Sequence, residues 1–168
     1  MTKDRGFLKV LIVVAVCATL PASRANAQAA SITATANVFQ PITITGARTL
    51  DFLNVFPGVN KTIAVAAATS GRFDVVAQAS QPMSLTFTLP TNLTSGLNNL
   101  AIATWTGCWN GVNTTTGCTA FTPSGSATSS TVGGASTLFV FVGATVAPTA
   151  AQVAGTYTGT VTLTVAYI

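Results

Sequence analysis

The stretch Gly155-Thr-Tyr-Thr-Gly-Thr-Val-Thr-Leu-Thr-Val-Ala-Tyr-Ile168 decides the fold class. Its odd positions hold Tyr157, Gly159, Val161, Leu163, Val165 and Tyr167; its even positions hold Thr156, Thr158, Thr160, Thr162 and Thr164. Successive side chains of a strand point to opposite faces, so one face here is apolar and the other a threonine ladder. β-Branched and aromatic residues both suit a pleated backbone. A helical wheel would scatter the same apolar residues all round, so the period is two. The pattern predicts one half-buried strand of roughly ten residues or more. The rest of the chain must then supply the sheet that covers its apolar face.

Upstream, similar runs recur at short intervals. Residues 31–38 alternate Ile32, Ala34, Ala36 and Val38 with polar neighbours and read as a first strand, interrupted by Gln40-Pro41 because proline cannot donate to a ladder. Short strands are expected over 42–45, 50–53 and 62–66. Residues 72–79 place Phe73, Val75 and Ala77 on one face, and 83–89 do the same with Met83, Leu85, Phe87 and Leu89. Joined only by Ser80-Gln81-Pro82, these two runs predict an antiparallel hairpin. Residues 90–99 read as a loop and 100–105 as a strand. Residues 106–135 read as a long irregular segment with one or two weak strands. Leu138-Phe-Val-Phe-Val142 is apolar throughout, as a strand buried on both faces should be. Beyond residue 27 no stretch combines helical period with caps; 149–153 suits a single turn. Seven or eight short strands with turn signals between them predict an all-β, immunoglobulin-like antiparallel sandwich forming one domain over 28–168.

Residues 1–27 are set apart by composition. Lys3, Arg5 and Lys9 precede an apolar run over 10–20, and Ala25-Asn26-Ala27 has the small-x-small form of a cleavage site. This is the plan of a signal peptide, with an apolar run too short to span a bilayer as a helix. It predicts an exported protein, located in the periplasm, at the cell surface or secreted, with no membrane span after cleavage. Cleavage would also remove most of the charge. The formal +4 of the whole chain falls to +1, carried by Arg48, Lys61 and Arg72 against Asp51 and Asp74. Too few cations remain to neutralise a phosphate backbone, which argues against nucleic-acid binding. A surface of Thr, Ser, Asn and Gln also lacks the charges that commonly keep strand edges from pairing.

The chemistry left to such a chain is sparse. Cys108 and Cys118 are an even pair in an oxidising compartment and predict a disulfide, worth roughly 2.5–3 kcal/mol on the chain-entropy model. With no histidine anywhere and two acids beyond residue 27, the pair lacks partners for a metal site, and no cofactor motif is present. Asp51 and Asp74 are the only carboxylates available for acid–base work, each within or beside a strand-like run, where a solvated carboxylate is the ordinary reading. A non-enzymatic protein is expected. Trp109, beside Asn110 and Asn113 in the stapled stretch, has two readings: a ring that stacks on a glycan, or one that packs over the disulfide.

Two ends of the chain together resemble a known family. Ala34-Thr-Ala-Asn-Val-Phe-Gln-Pro-Ile-Thr-Ile-Thr45 with Leu50-Asp-Phe52 and Pro57-Gly58, and at the close 154–167, resemble a bacterial family known only as a domain of unknown function (number 4402). The same skeleton is similar to pilin subunits of the spore coat protein U and archaic chaperone–usher type. Those end in Gly-x-Tyr, an alternating strand and an aromatic residue, and fold as incomplete sandwiches completed by a neighbour's N-terminal strand. The resemblance implies that 31–38 is a donor strand with Ile32, Ala34, Ala36 and Val38 as its inserted face. It implies self-association, or pairing with related surface subunits. The sequence departs from those pilins in lacking cysteines near Phe39 and near Ala77. The alternative expectation is a self-contained immunoglobulin-like adhesin or glycan-binding module using Trp109.

Overall fold

The computed structural model describes residues 27–131, 134 and 136–168. The expected signal peptide lies almost wholly outside these. The chain divides into two units, Met1–Ala36 and Asn37–Ile168. In the first, the described residues 27–36 form no strand.

The second unit is all β among its described residues. Its strands are β1 (Thr43–Arg48), β2 (Lys61–Ile63), β3 (Gly71–Val76), β4 (Pro82–Thr88), β5 (Asn92–Ser95), β6 (Asn98–Asn110), β7 (Thr119–Phe121), β8 (Thr128–Thr131), β9 (Thr137–Ala147) and β10 (Thr162–Tyr167). One sheet has seven strands, ordered β1-β3-β9-β6-β5, with β2 also on β9 and β7 also on β6; the other has three, ordered β10-β4-β8. Every pairing is antiparallel. The two sheets face each other as a sandwich.

Strand β9 runs through the middle, as its unbroken apolar sequence predicts. Leu138, Val140, Val142, Ala144 and Val146 point into the sandwich, and Phe141 on its other face is buried too. Its partner β6 is bulged: Ala103 pairs with Thr145, but the next pair is Thr106 with Gly143. The extra residue includes Thr104 at φ 51° and exchanges the faces of β6. Ile102 points inward before the bulge; Gly107 and Trp109, of opposite parity, do so after it. Gly107 must be glycine because the Phe121 ring covers it: a Cβ there would lie 2.5–2.8 Å from three ring carbons.

The structure corrects five local expectations. Residues 31–38, expected as a first strand, form none: their side chains stand exposed with no strand paired to them among the described residues, and the first strand is β1. Runs 72–79 and 83–89 are strands, but β3 and β4 belong to different sheets. Both carry apolar faces that need covering, and the chain between them, with Ser80 at φ 58°, crosses the sandwich so that each covers the other. Residues 50–53 are not a strand; Phe52 is buried from an irregular segment. The expected 90–99 loop contains β5, turned tightly into β6 through Gly96 and Leu97. The closing strand is regular only over Thr162–Tyr167. Its predicted first half meets β5 by the single bridge Thr94–Thr158, for reasons that lie in its glycines.

Candidate functional site: an open half of the sandwich

The two sheets differ greatly in length. At about 3.3 Å per residue, β6 and β9 span roughly 43 and 36 Å, whereas β4 spans roughly 23 Å, from 13, 11 and 7 residues respectively. The short sheet can therefore cover only part of the long one, and the core divides accordingly.

In the covered half, Met83, Leu85 and Phe87 of β4 and Leu163 of β10 pack on Val75, Leu138, Val140 and Val142. Phe87 meets Phe73 and Phe121 at 6.4 and 5.7 Å between centroids. In the other half, the buried cluster is Phe52, Ile63, Leu100, Ile102, Ala144 and Val146. None of these belongs to the three-stranded sheet. Two irregular segments, 49–57 and 153–161, lie over this half instead, and between them runs a groove of about 940 Å³. Its lining includes Phe73, Leu93, Leu100, Ile102, Trp105 and Val142 from the long sheet, with Leu53, Phe56 and Val153 from the two segments.

Each wall is positioned by specific chemistry. On one side, the Asp51 carboxylate accepts a hydrogen bond from the Leu53 N–H at 2.7 Å. That turn holds Leu53 at φ 53°. It sends Phe52 inward and leaves Leu53 and Phe56 63% and 68% exposed. An aspartate used this way is a structural acceptor of the kind that stabilises turns. On the other side, a Cβ at Gly155 would meet Ser95 Oγ at 2.7 Å, and one at Gly159 would meet Leu93 Cδ2 at 2.7 Å. The glycines thus let the backbone lie against β5. Between them Tyr157 packs on the open-half cluster. Its hydroxyl donates to the Val153 carbonyl at 2.7 Å and accepts from Gln152 Nε2 at 2.7 Å. This is the arrangement of a tyrosine corner, found in Greek-key sandwiches before a core strand. It closes 152–157 on itself, while backbone hydrogen bonds in both directions between Thr94 and Thr158 tie the segment to β5 and take it out of the line of the closing strand.

Beyond the groove, which ends at Val161, the short sheet has a free backbone edge. Strand β10 pairs with β4 on one side, and among the described residues no strand pairs with its other side. At its far end, Tyr167 stacks on Phe39 at 5.2 Å, and its hydroxyl donates to the Gln40 carbonyl at 2.6 Å.

Ile32, Ala34, Ala36 and Val38 lie in no strand of the chain, and Ile32 and Val38 are 95% and 94% exposed. Cys108 and Cys118 form the disulfide, with Cα atoms 5.8 Å apart. Trp109 follows Cys108 on the opposite face of β6 and packs, half-buried, against the covered-half core. Its position on the strand face opposite Cys108 means that it does not lie over the disulfide. Asp74 is paired with Arg72 at 2.7 Å. Among the described residues no group of three or more His, Cys, Asp or Glu gathers as a metal site, and no helix is long and apolar enough to cross a membrane. Sequence reasoning missed Leu53, Phe56 and Val153. They sit in irregular segments with no period to reveal which way they face, although Asp51 two residues before Leu53 is a turn signal.

Residues 32–167 match the family described as Domain of unknown function (DUF4402). The chain belongs to that family. The match takes in residues 32–38 and the closing 155–167 motif, so the tyrosine corner, the groove and the β10 edge all fall inside the family domain. No curated protein and no solved structure matches the chain.

Proposed function

We propose that this protein is a non-enzymatic, exported structural subunit that assembles by strand pairing. The apolar stripe at 31–38 of one copy, or of a related subunit, lies in the open half of the next. The observation that carries this reading is the open half: a long sheet whose apolar inner face lies there under irregular segments and a groove, with no strand of the short sheet over it. An extended segment running from the groove past Val161 and along β10 would satisfy the free edge of β10 with main-chain hydrogen bonds and insert alternate side chains into the groove, which is the logic of β-strand addition. Ile32, Ala34, Ala36 and Val38 supply such an alternation, and among the described residues 31–38 pair with no strand. The disulfide and the signal-peptide pattern suit an oxidising compartment outside the cytoplasm.

Size-exclusion chromatography with light scattering, followed by electron microscopy, tests this. The protein is expected to form concentration-dependent oligomers or filaments, and deletion of 28–38 is expected to leave monomers. Monomers in both cases would defeat the proposal.

A further inference from the structure

The outer face of the seven-stranded sheet carries a separate feature. In the register of β1 and β3, Arg48 lies opposite Arg72. Like charges facing each other across an antiparallel ladder repel, yet the fold gathers here two of the three cations that follow residue 27. One carboxylate answers them. Asp74 accepts from Arg72 Nε at 2.7 Å and Nη2 at 3.0 Å, the single ion pair among the described residues.

Arg48 has no carboxylate partner among those residues. Its Nε and Nη2 donate to the carbonyl and hydroxyl of fully buried Ser70, and its guanidinium lies 5.9 Å from the centre of the Phe141 ring. These contacts hold the fork in one orientation. The Nη1 hydrogens and one on Nη2 have no acceptor in the described protein. A half-buried guanidinium is therefore rigidly placed with one negative charge wanting.

Beside it lies a cavity of about 260 Å³, lined by Arg48, Phe141, Asn113, Thr114, Thr115 and the 65–68 segment, with no acidic residue in the lining. The Asn113 Oδ1 accepts from Arg72 Nη1 at 3.0 Å, which leaves the amide NH2 as a donor. The hydroxyl of Thr115 has no partner in the described protein. The volume is below the roughly 300–1,000 Å³ of sites for drug-sized ligands, enough for one ring rather than a chain.

We propose that this cavity binds the carboxylate of a single acidic sugar residue. Arg48 takes the carboxylate through its open edge, and Asn113, Thr114 and Thr115 take ring hydroxyls. Arg48 also lines the groove, whereas Phe141, Asn113, Thr114 and Thr115 line this depression and not the groove.

Calorimetric titration of D-glucuronate into the purified protein tests it, with glucose, N-acetylglycine and sulfate as comparison ligands. Saturable glucuronate binding is expected, at least ten-fold tighter than glucose and weakened by added NaCl. Arg48→Gln is expected to abolish it. Thr115→Val, at a half-buried loop position, should weaken it several-fold with an unchanged melting temperature, which separates loss of binding from loss of fold. Absence of saturable glucuronate binding overturns the proposal. So does equal binding of glucose, of N-acetylglycine (a peptide carboxylate) or of sulfate (an adventitious ion only), and so does full binding by Thr115→Val.

Discussion

The two halves of the sandwich use the same long strands for different ends. In one half, β3, β9 and the end of β6 are covered by β4 and β10, and Met83, Leu85, Leu138 and Val140 are fully buried. In the other, the same β9 and the start of β6 present Ala144, Val146, Leu100 and Ile102 to irregular segments with a groove between them. The first half has the close packing that stabilises a domain. The second packs its buried apolar residues under irregular segments and leaves a groove between them. The proposed function gives stability to the first half and association to the second.

Truncations should separate those roles. Leu85→Ala in the covered half should cost about 3–4 kcal/mol in chemical denaturation, since the side chain has no room to be replaced by water or a neighbour. Leu100→Ala, beside the groove, should cost about half that and instead shift the oligomer distribution. Equal losses of stability would erase the distinction between the halves.

Overpacking gives the next effect. Gly107→Val would drive its side chain into the Phe121 ring, and a loss of about 2–3 kcal/mol is expected in thermal melts. Phe121→Ala should relieve part of it in the double variant; strict additivity would mean the ring is not the obstacle.

The smallest change probes the wall of the groove. Tyr157→Phe removes the hydroxyl that holds Val153 and Gln152 and should cost about 1 kcal/mol. Amide exchange should rise over 150–158 more than in β4. A uniform rise would indicate that the corner does not act locally.

How far the sequence reveals this division depends on which force sets each part. The covered half was legible, because alternation in 83–87 and the continuous run at 138–142 follow directly from burial on one or two faces. The crossing from β3 to β4 was not, since two adjacent alternating runs look the same whether they pair edge to edge or face each other across a core. The closing stripe was half legible. Gly155 and Gly159 fit the alternation, but their role is close approach to β5, a tertiary contact that a period of two does not encode. The bulge at Thr104 was hidden for the same reason. For the groove, the sequence offered the unpaired apolar stripe at 31–38 and the weakly defended edges. It did not offer the walls, because irregular segments carry no periodic signal. Nor could it place Arg48 opposite Arg72, a neighbourhood that exists only once β1 and β3 are in register.

The most direct test of the open half is complementation. A variant lacking 28–38 is mixed with a synthetic peptide of residues 28–40, and amide exchange is followed over Thr162–Tyr167 together with the melting temperature. Strand addition predicts that the peptide slows exchange along β10 and raises the melting temperature in a saturable way, while a peptide with Ile32 and Val38 changed to Asp does neither. Unchanged exchange along β10 at saturating peptide would contradict the assignment of the open half as a strand-docking site.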